Sequence, residues 1–102
     1  MTMLHTVNKS PFERNSLESC LNHCTEGSAV LMIEDGVYGA IKGSSANDKI
    51  TGAVEKCKLY VLGPDAAARG IKEDQVIDGV TIVDYSGFVD LVAEHDAVQS
   101  WL

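Results

Sequence analysis

The residues of this chain whose types and spacing could do chemistry are three cysteines and the histidine beside two of them. Cys20-Leu21-Asn22-His23-Cys24 puts two thiols and an imidazole within five residues, and Cys57 stands apart. A thiol can act as nucleophile, redox centre or metal ligand. The reacting form is the thiolate, so exposure and nearby positive charge decide its use. A structural zinc site needs four ligands, usually from two separated elements. The other donors, His5, Cys57 and His95, are isolated and form no second knuckle, so no metal and no cofactor is expected. A thiol phosphatase would need Arg six positions after its Cys. Glu26, Val30 and Gly63 stand there instead.

The elements that must position these thiols begin at the N-terminus. Met3-Leu4-His5-Thr6-Val7 reads as a buried strand. Ser10-Pro11-Phe12-Glu13 then reads as a helix start, with Ser10 and Glu13 as a reciprocal cap and Pro11 where its missing N–H costs nothing. The spacing predicts a helix over Phe12–Thr25 with Cys20 and Cys24 one turn apart. At about 100° per residue, Leu17, Leu21 and Cys24 share one apolar stripe, while Cys20 falls at its edge beside Ser16 and His23. Cys24 is therefore expected in the core. Cys57, at the entrance of a strand, is expected to be structural. Cys20 is expected between core and solvent, open to either an inert or a reactive reading, with His23 able to favour its thiolate.

Three further apolar runs, Ala29–Ile33, Leu59–Leu62 and Val80–Val83, are continuous rather than alternating, as in strands buried on both faces of a parallel sheet. Helical segments over Ala46–Lys56, Pro64–Arg69 and Gly87–His95 separate them, and Gly27 and Gly70 stand where left-handed C-cap residues belong. The expected fold is α/β: residues 1–102 as a single domain with an open, mainly parallel sheet of at least four strands flanked by helices. Such sheets place their sites beyond the carboxyl ends of the strands. Here those ends carry Asn8-Lys9-Ser10, Glu34-Asp35-Gly36, Gly63-Pro64-Asp65 and Asp84-Tyr85-Ser86, residues that any strand-to-helix turn also uses for capping.

Composition excludes several functions. The chain has 102 residues, 45% of them hydrophobic, and 15 acidic against 8 basic residues, a net charge of −7. The scattered Lys and Arg cannot neutralise phosphates on one face, so no direct contact with nucleic acid is expected. No apolar run is long enough to cross a bilayer and no basic leader precedes a greasy one, so the expectation is a cytoplasmic protein without membrane contact. An odd cysteine count agrees with a reducing compartment. There is no Gly-rich phosphate loop and no G-x-S-x-G elbow. His5 is expected to be a hydrogen-bonded core histidine, His95 to complement a helix dipole, and Glu13, Glu18, Glu55, Glu94 and Asp96 to lie on solvated helix faces. Trp101, beside the last residue, is expected to anchor another subunit unless it packs on its own core.

The chain also resembles a known family. Leu4-His5-Thr6-Val7 with Ser10-Pro11, Glu34-Asp35-Gly36-Val37, Tyr60-Val61-Leu62, Asp65 through Ala68-Arg69-Gly70, and Val83-Asp84-Tyr85 with Phe88-Val89-Asp90-Leu91 look like the DsrH/TusB family. The resemblance runs from Met3 to Trp101. It implies the small subunit of DsrEFH or TusBCD sulfurtransferase complexes, in which persulfide sulfur passes between cysteines of partner proteins. It further implies a heterohexamer with two copies each of this chain and of DsrE- and DsrF-type subunits. In both branches the principal sulfur-carrying cysteine belongs to the DsrE/TusD-type partner. DsrEFH serves sulfur oxidation and exchanges sulfur with a DsrC-type carrier, whereas TusBCD supplies tRNA wobble-uridine thiolation. Cys20 matches the cysteine characteristic of DsrH, which favours the Dsr branch and makes Cys20 the candidate catalytic residue, as an auxiliary persulfide acceptor.

Overall fold

Five short strands form one parallel sheet in a computed structural model that describes residues 2–11, 16–44 and 46–101. They are β1 (Met3–Val7), β2 (Ala29–Met32), β3 (Lys58–Leu62), β4 (Val80–Val83) and β5 (Ala97–Trp101), in the spatial order β4-β3-β2-β1-β5. Every pairing is parallel. The first four strands fall where the apolar runs placed them, and β1 lies inside the sheet rather than at an edge. β5 was not expected. The tail read as an anchor pairs with β1 along its length, Met3 opposite Ala97 and Val7 opposite Trp101. Leu102 and the Phe12 and Glu13 part of the expected helix cap lie outside the described residues.

The handedness of the connections sorts the helices between the two faces. β1 to β4 step across the sheet in one direction, so right-handed crossovers put α1 (Ser16–His23), α2 (Asn47–Ala53) and α3 (Gly63–Ala68) on the same side. The return from β4 to β5 passes back over the sheet, and α4 (Tyr85–Glu94) therefore covers the opposite side. The core divides accordingly. Val7, Val30, Met32, Leu59 and Val61 pack with Leu17, Cys20, Cys24 and Ile50 on the first side. Leu4, Ala29, Leu31 and Leu62 pack with Leu91 on the second. Each fully buried aliphatic side chain contributes about 1.5–3 kcal/mol relative to exposure. The first side, with three helices, holds most of them.

Short 3-10 segments at Glu34–Ala40 and Glu73–Gln75 complete the connections. The first starts directly off the carboxyl end of β2, where sequence reading saw only a turn. Gly70, just past the C-cap Arg69 of α3, holds the positive φ of 75° expected there. Gly27, with φ of 88°, lies four residues beyond α1 in a turn closed by the Ser28 amide donating to the Thr25 carbonyl at 3.0 Å, and is not the cap of that helix.

Candidate functional site

All three thiols face inward. On α1 the buried residues are Ser16, Leu17, Cys20 and Leu21, and Cys24 follows them into the core. Cys20 is 0% exposed, which corrects its expected place between core and solvent. The helix is enclosed from three directions, by β1 beneath, β5 at one side and α2 at the other. Burial pushes the Cys20 thiol up to about 12, and the nearby Cys57 adds to the shift. Cys24 is raised further, first by burial and then by its hydrogen bond and proximity to Cys57, with Lys56 opposing. The Cys57 thiol itself donates to the carbonyl of Ala53 at 3.8 Å. In this fold Cys20 and Cys24 are protonated at neutral pH and act as small apolar fillers.

His23 does not assist Cys20. It is exposed, its Nδ1 donates to the Ser19 carbonyl at 2.8 Å, and its ring lies 5.5 Å from that of Trp101. Trp101 is half-buried against the first core, and its indole Nε1–H donates to Nδ1 of buried His5 at 3.0 Å. The expectation of Trp101 as an exposed anchor is therefore corrected, because the ring packs on its own domain. The expectation for His5 holds: it is a core histidine with a partner. Beside these rings a cleft of about 260 Å³ opens, with Met3, Ser28 and Gln99 in its wall.

At the carboxyl ends of the strands, the acidic residues close on the backbone rather than on a vacant centre. Asp65 Oδ2 accepts the Glu34 amide at 2.7 Å. Arg69 bridges the same turn, donating from Nε to Asp35 at 3.0 Å and from Nη1 to the Asp65 carbonyl at 3.2 Å. Asp84 caps α4 by accepting from the Gly87 amide at 2.8 Å. These ends are brought together as caps and braces, the ordinary work of such residues. Glu18, expected on a solvated face, pairs with Lys49 of α2 at 2.9 Å, and Asp96 accepts from the Thr2 amide at 2.8 Å. His95 Nδ1 donates to the Leu91 carbonyl at 2.7 Å, satisfying the end of α4.

Residues 9–98 match the family described as DsrH like protein. The chain belongs to the DsrH family. Among curated proteins it is 36% identical to Protein TusB of Pectobacterium parmentieri over 99 residues, covering 97% of this chain and 100% of that protein. Protein TusB of Escherichia coli K12 is 31% identical over the same coverage. Among solved structures, the E. coli ychN protein superposes with a TM-score of 0.82 at 16% identity over 99% of both chains. A protein of unknown function from Methanobacterium thermoautotrophicum, MTH1491, superposes with a TM-score of 0.74 at 14% identity over 97% of both. At those identities the structures attest the fold alone.

In this DsrH-family chain, then, Cys20, Cys24 and Cys57 gather into one buried thiol group while His23 turns away to Trp101. Among the described residues, no three His, Cys, Asp or Glu side chains converge as a metal ligand set would. Two features escaped sequence reading. One is the indole–imidazole bond between the two ends of the chain, for which the only signal was a histidine in a buried strand that needed a partner. The other is Glu34 with φ of 48°, whose left-handed backbone nothing in Ile33-Glu34-Asp35-Gly36 announces.

Proposed function

We propose that this chain is the small subunit of a cytoplasmic DsrEFH-type sulfurtransferase complex. It would stand with DsrE- and DsrF-type subunits in a heterohexamer holding two copies of each, relaying persulfide sulfur toward a DsrC-type carrier during sulfur oxidation. The family match across residues 9–98 carries this reading. The buried thiols divide the labour within it. The persulfide rests mainly on the DsrE-type partner, and this chain contributes assembly. Cys20 serves as an auxiliary acceptor only where a partner opens α1 and lets the thiol ionise. The step is a displacement: the Cys20 thiolate attacks the outer sulfur of the partner's persulfide, that S–S bond breaks, and the partner's cysteine leaves as thiolate. Cys20 then carries the new persulfide.

A second reading is favoured by the curated relatives, which are named TusB. In it the chain is a non-catalytic subunit of a TusBCD-type relay for tRNA wobble-uridine 2-thiolation, and the enclosure of Cys20 is permanent. One experiment addresses both. The chain is purified with its DsrE- and DsrF-type partners, treated with a sulfur donor, and each cysteine is examined by mass spectrometry. A gain of one sulfur atom on Cys20 supports the acceptor role. Sulfur on the partner alone, together with loss of 2-thiouridine from tRNA when the gene is deleted, supports the second reading. Failure to co-purify with such partners overturns both.

A further inference from the structure

α4 is apolar on two sides, and among the described residues it has a partner on only one. Leu91 and Phe88 face the sheet. Tyr85, Val89 and Val92, at i, i+4 and i+7, line one flank of the helix, about 100° round from the sheet-facing pair at 100° per residue, and are 60%, 67% and 42% exposed. Single exposed apolar residues are commonplace, but three at this spacing make one continuous helical stripe. Val98 of the edge strand β5, 47% exposed, shares the side of the sheet that α4 covers, because it pairs in register with Leu4. A helix apolar on both flanks is built to be enclosed on both.

The charge around the stripe says what kind of molecule encloses it. No Lys or Arg follows Lys72. The seven acidic residues after it (Glu73, Asp74, Asp78, Asp84, Asp90, Glu94 and Asp96) equal the net charge of the whole chain, −7, so the preceding residues are balanced. All seven are exposed, and Asp84, Asp90, Glu94 and Asp96 lie on α4 or at its ends. A second copy docking through this face would bring like charges together at the rim, and anionic lipid or nucleic acid would be repelled in the same way. A protein surface with an apolar ridge bordered by Lys and Arg complements it. We propose that the exposed apolar flank of α4, continued by Val98, is the docking surface for a non-identical, basic-rimmed protein subunit. The proposal rests on the reading of the chain as a relay-complex subunit and assigns the surface that reading leaves open.

The test uses the full chain titrated with its DsrE- and DsrF-type subunits at low and at high salt. Val89→Glu keeps an exposed helix position helical and should weaken association at least tenfold, with circular dichroism and melting temperature unchanged. Asp90→Lys combined with Glu94→Lys should weaken it at least tenfold at low salt, the difference narrowing as salt rises. If wild type binds these subunits and both variants bind equally well, the surface is wrong while the relay reading stands. If wild type binds neither subunit, the relay reading fails and takes the proposal with it. A wild-type dimer that Val89→Glu dissociates would overturn the proposal in favour of a second copy.

Discussion

The indole nitrogen of Trp101 donates to Nδ1 of His5 at 3.0 Å, tying the last strand to the first. An indole N–H only donates, so His5 must present a bare Nδ1 and carry its proton on Nε2. The bond is thus available only to neutral imidazole. Val7, not His5, pairs with Trp101 in the β1–β5 register, so the ring reaches back along the sheet to make it. The edge strand is held by its own ladder, by the Thr6 hydroxyl donating to Ser100 Oγ at 3.3 Å, and by this contact over the cleft.

A pH dependence follows, with a definite sign. His5 titrates below 6.5 in the fold, because burial disfavours its charged form and His23 adds repulsion. Well above 6.5 the folded and unfolded forms are both neutral and the group leaves stability unaffected by pH. As pH falls below 6.5 the unfolded chain binds the proton first, so stability declines until the folded value is reached and then levels. Thermal melts followed by the emission of Trp101, the only tryptophan, should show this decline. His5→Gln, whose amide oxygen can accept the indole bond, should flatten the part of the slope that His5 causes. An unchanged slope in that variant would assign the effect elsewhere.

Trp101 should matter to the fold itself. Trp101→Ala removes a half-buried ring from the first core and should cost about 2–4 kcal/mol, toward the lower end of what fully buried aromatics cost. Trp101→Phe keeps most of the packing but leaves His5 Nδ1 without its donor, a loss of about 1–3 kcal/mol. Urea unfolding distinguishes the two. A free energy unchanged in both would mean that the Trp101 ring and its indole bond add nothing to the stability of the sheet.

Thiol reactivity gives a third prediction. With Cys20 fully buried and raised to about 12, an aromatic disulfide reagent should label Cys20 in the native chain far more slowly than in the denatured one. Cys20→Ser would place a hydroxyl among Leu17, Val7 and their neighbours and should cost about 1–3 kcal/mol. Rapid native labelling of Cys20 would contradict the enclosure of α1.

The same helix shows how far the sequence could be read. The strands β1 to β4 were legible because each is a short run of mostly apolar and β-favouring residues followed by a turn and a helix start, and the crossover rule then placed the helices. The face of α1 was not. Ser16, polar in type, is buried, which widens the enclosed arc to about 140° at 100° per residue and puts Cys20 well inside it. A helix wheel assumes one packing partner, whereas α1 meets β1, α2 and β5. β5 was missed for a related reason: Gln99 and Ser100 interrupt its apolar residues, as an edge strand with one wet side permits.

The carboxyl-end brace supplies the last prediction, in which two substitutions one bond apart should have opposite signs. Glu34 holds φ of 48°, a conformation that costs a residue with a side chain about 1–2 kcal/mol. It is held there by its amide, which donates to Asp65 Oδ2 at 2.7 Å, while Arg69 fixes the Asp65 backbone and the Asp35 carboxylate. Glu34→Gly relieves the strain and keeps the amide, but frees the unfolded chain by up to about 1 kcal/mol. The net should lie between neutral and about 1 kcal/mol stabilising. Glu34→Val, β-branched at a left-handed position, should be destabilising. Asp65→Ala removes the acceptor and should cost about 1–2 kcal/mol, and it should cost less in the Glu34→Gly background, where the turn no longer needs to be forced. Chemical denaturation of the four variants measures this. A Glu34→Gly chain clearly less stable than wild type would show that the Glu34 side chain, not its backbone, is what the turn requires.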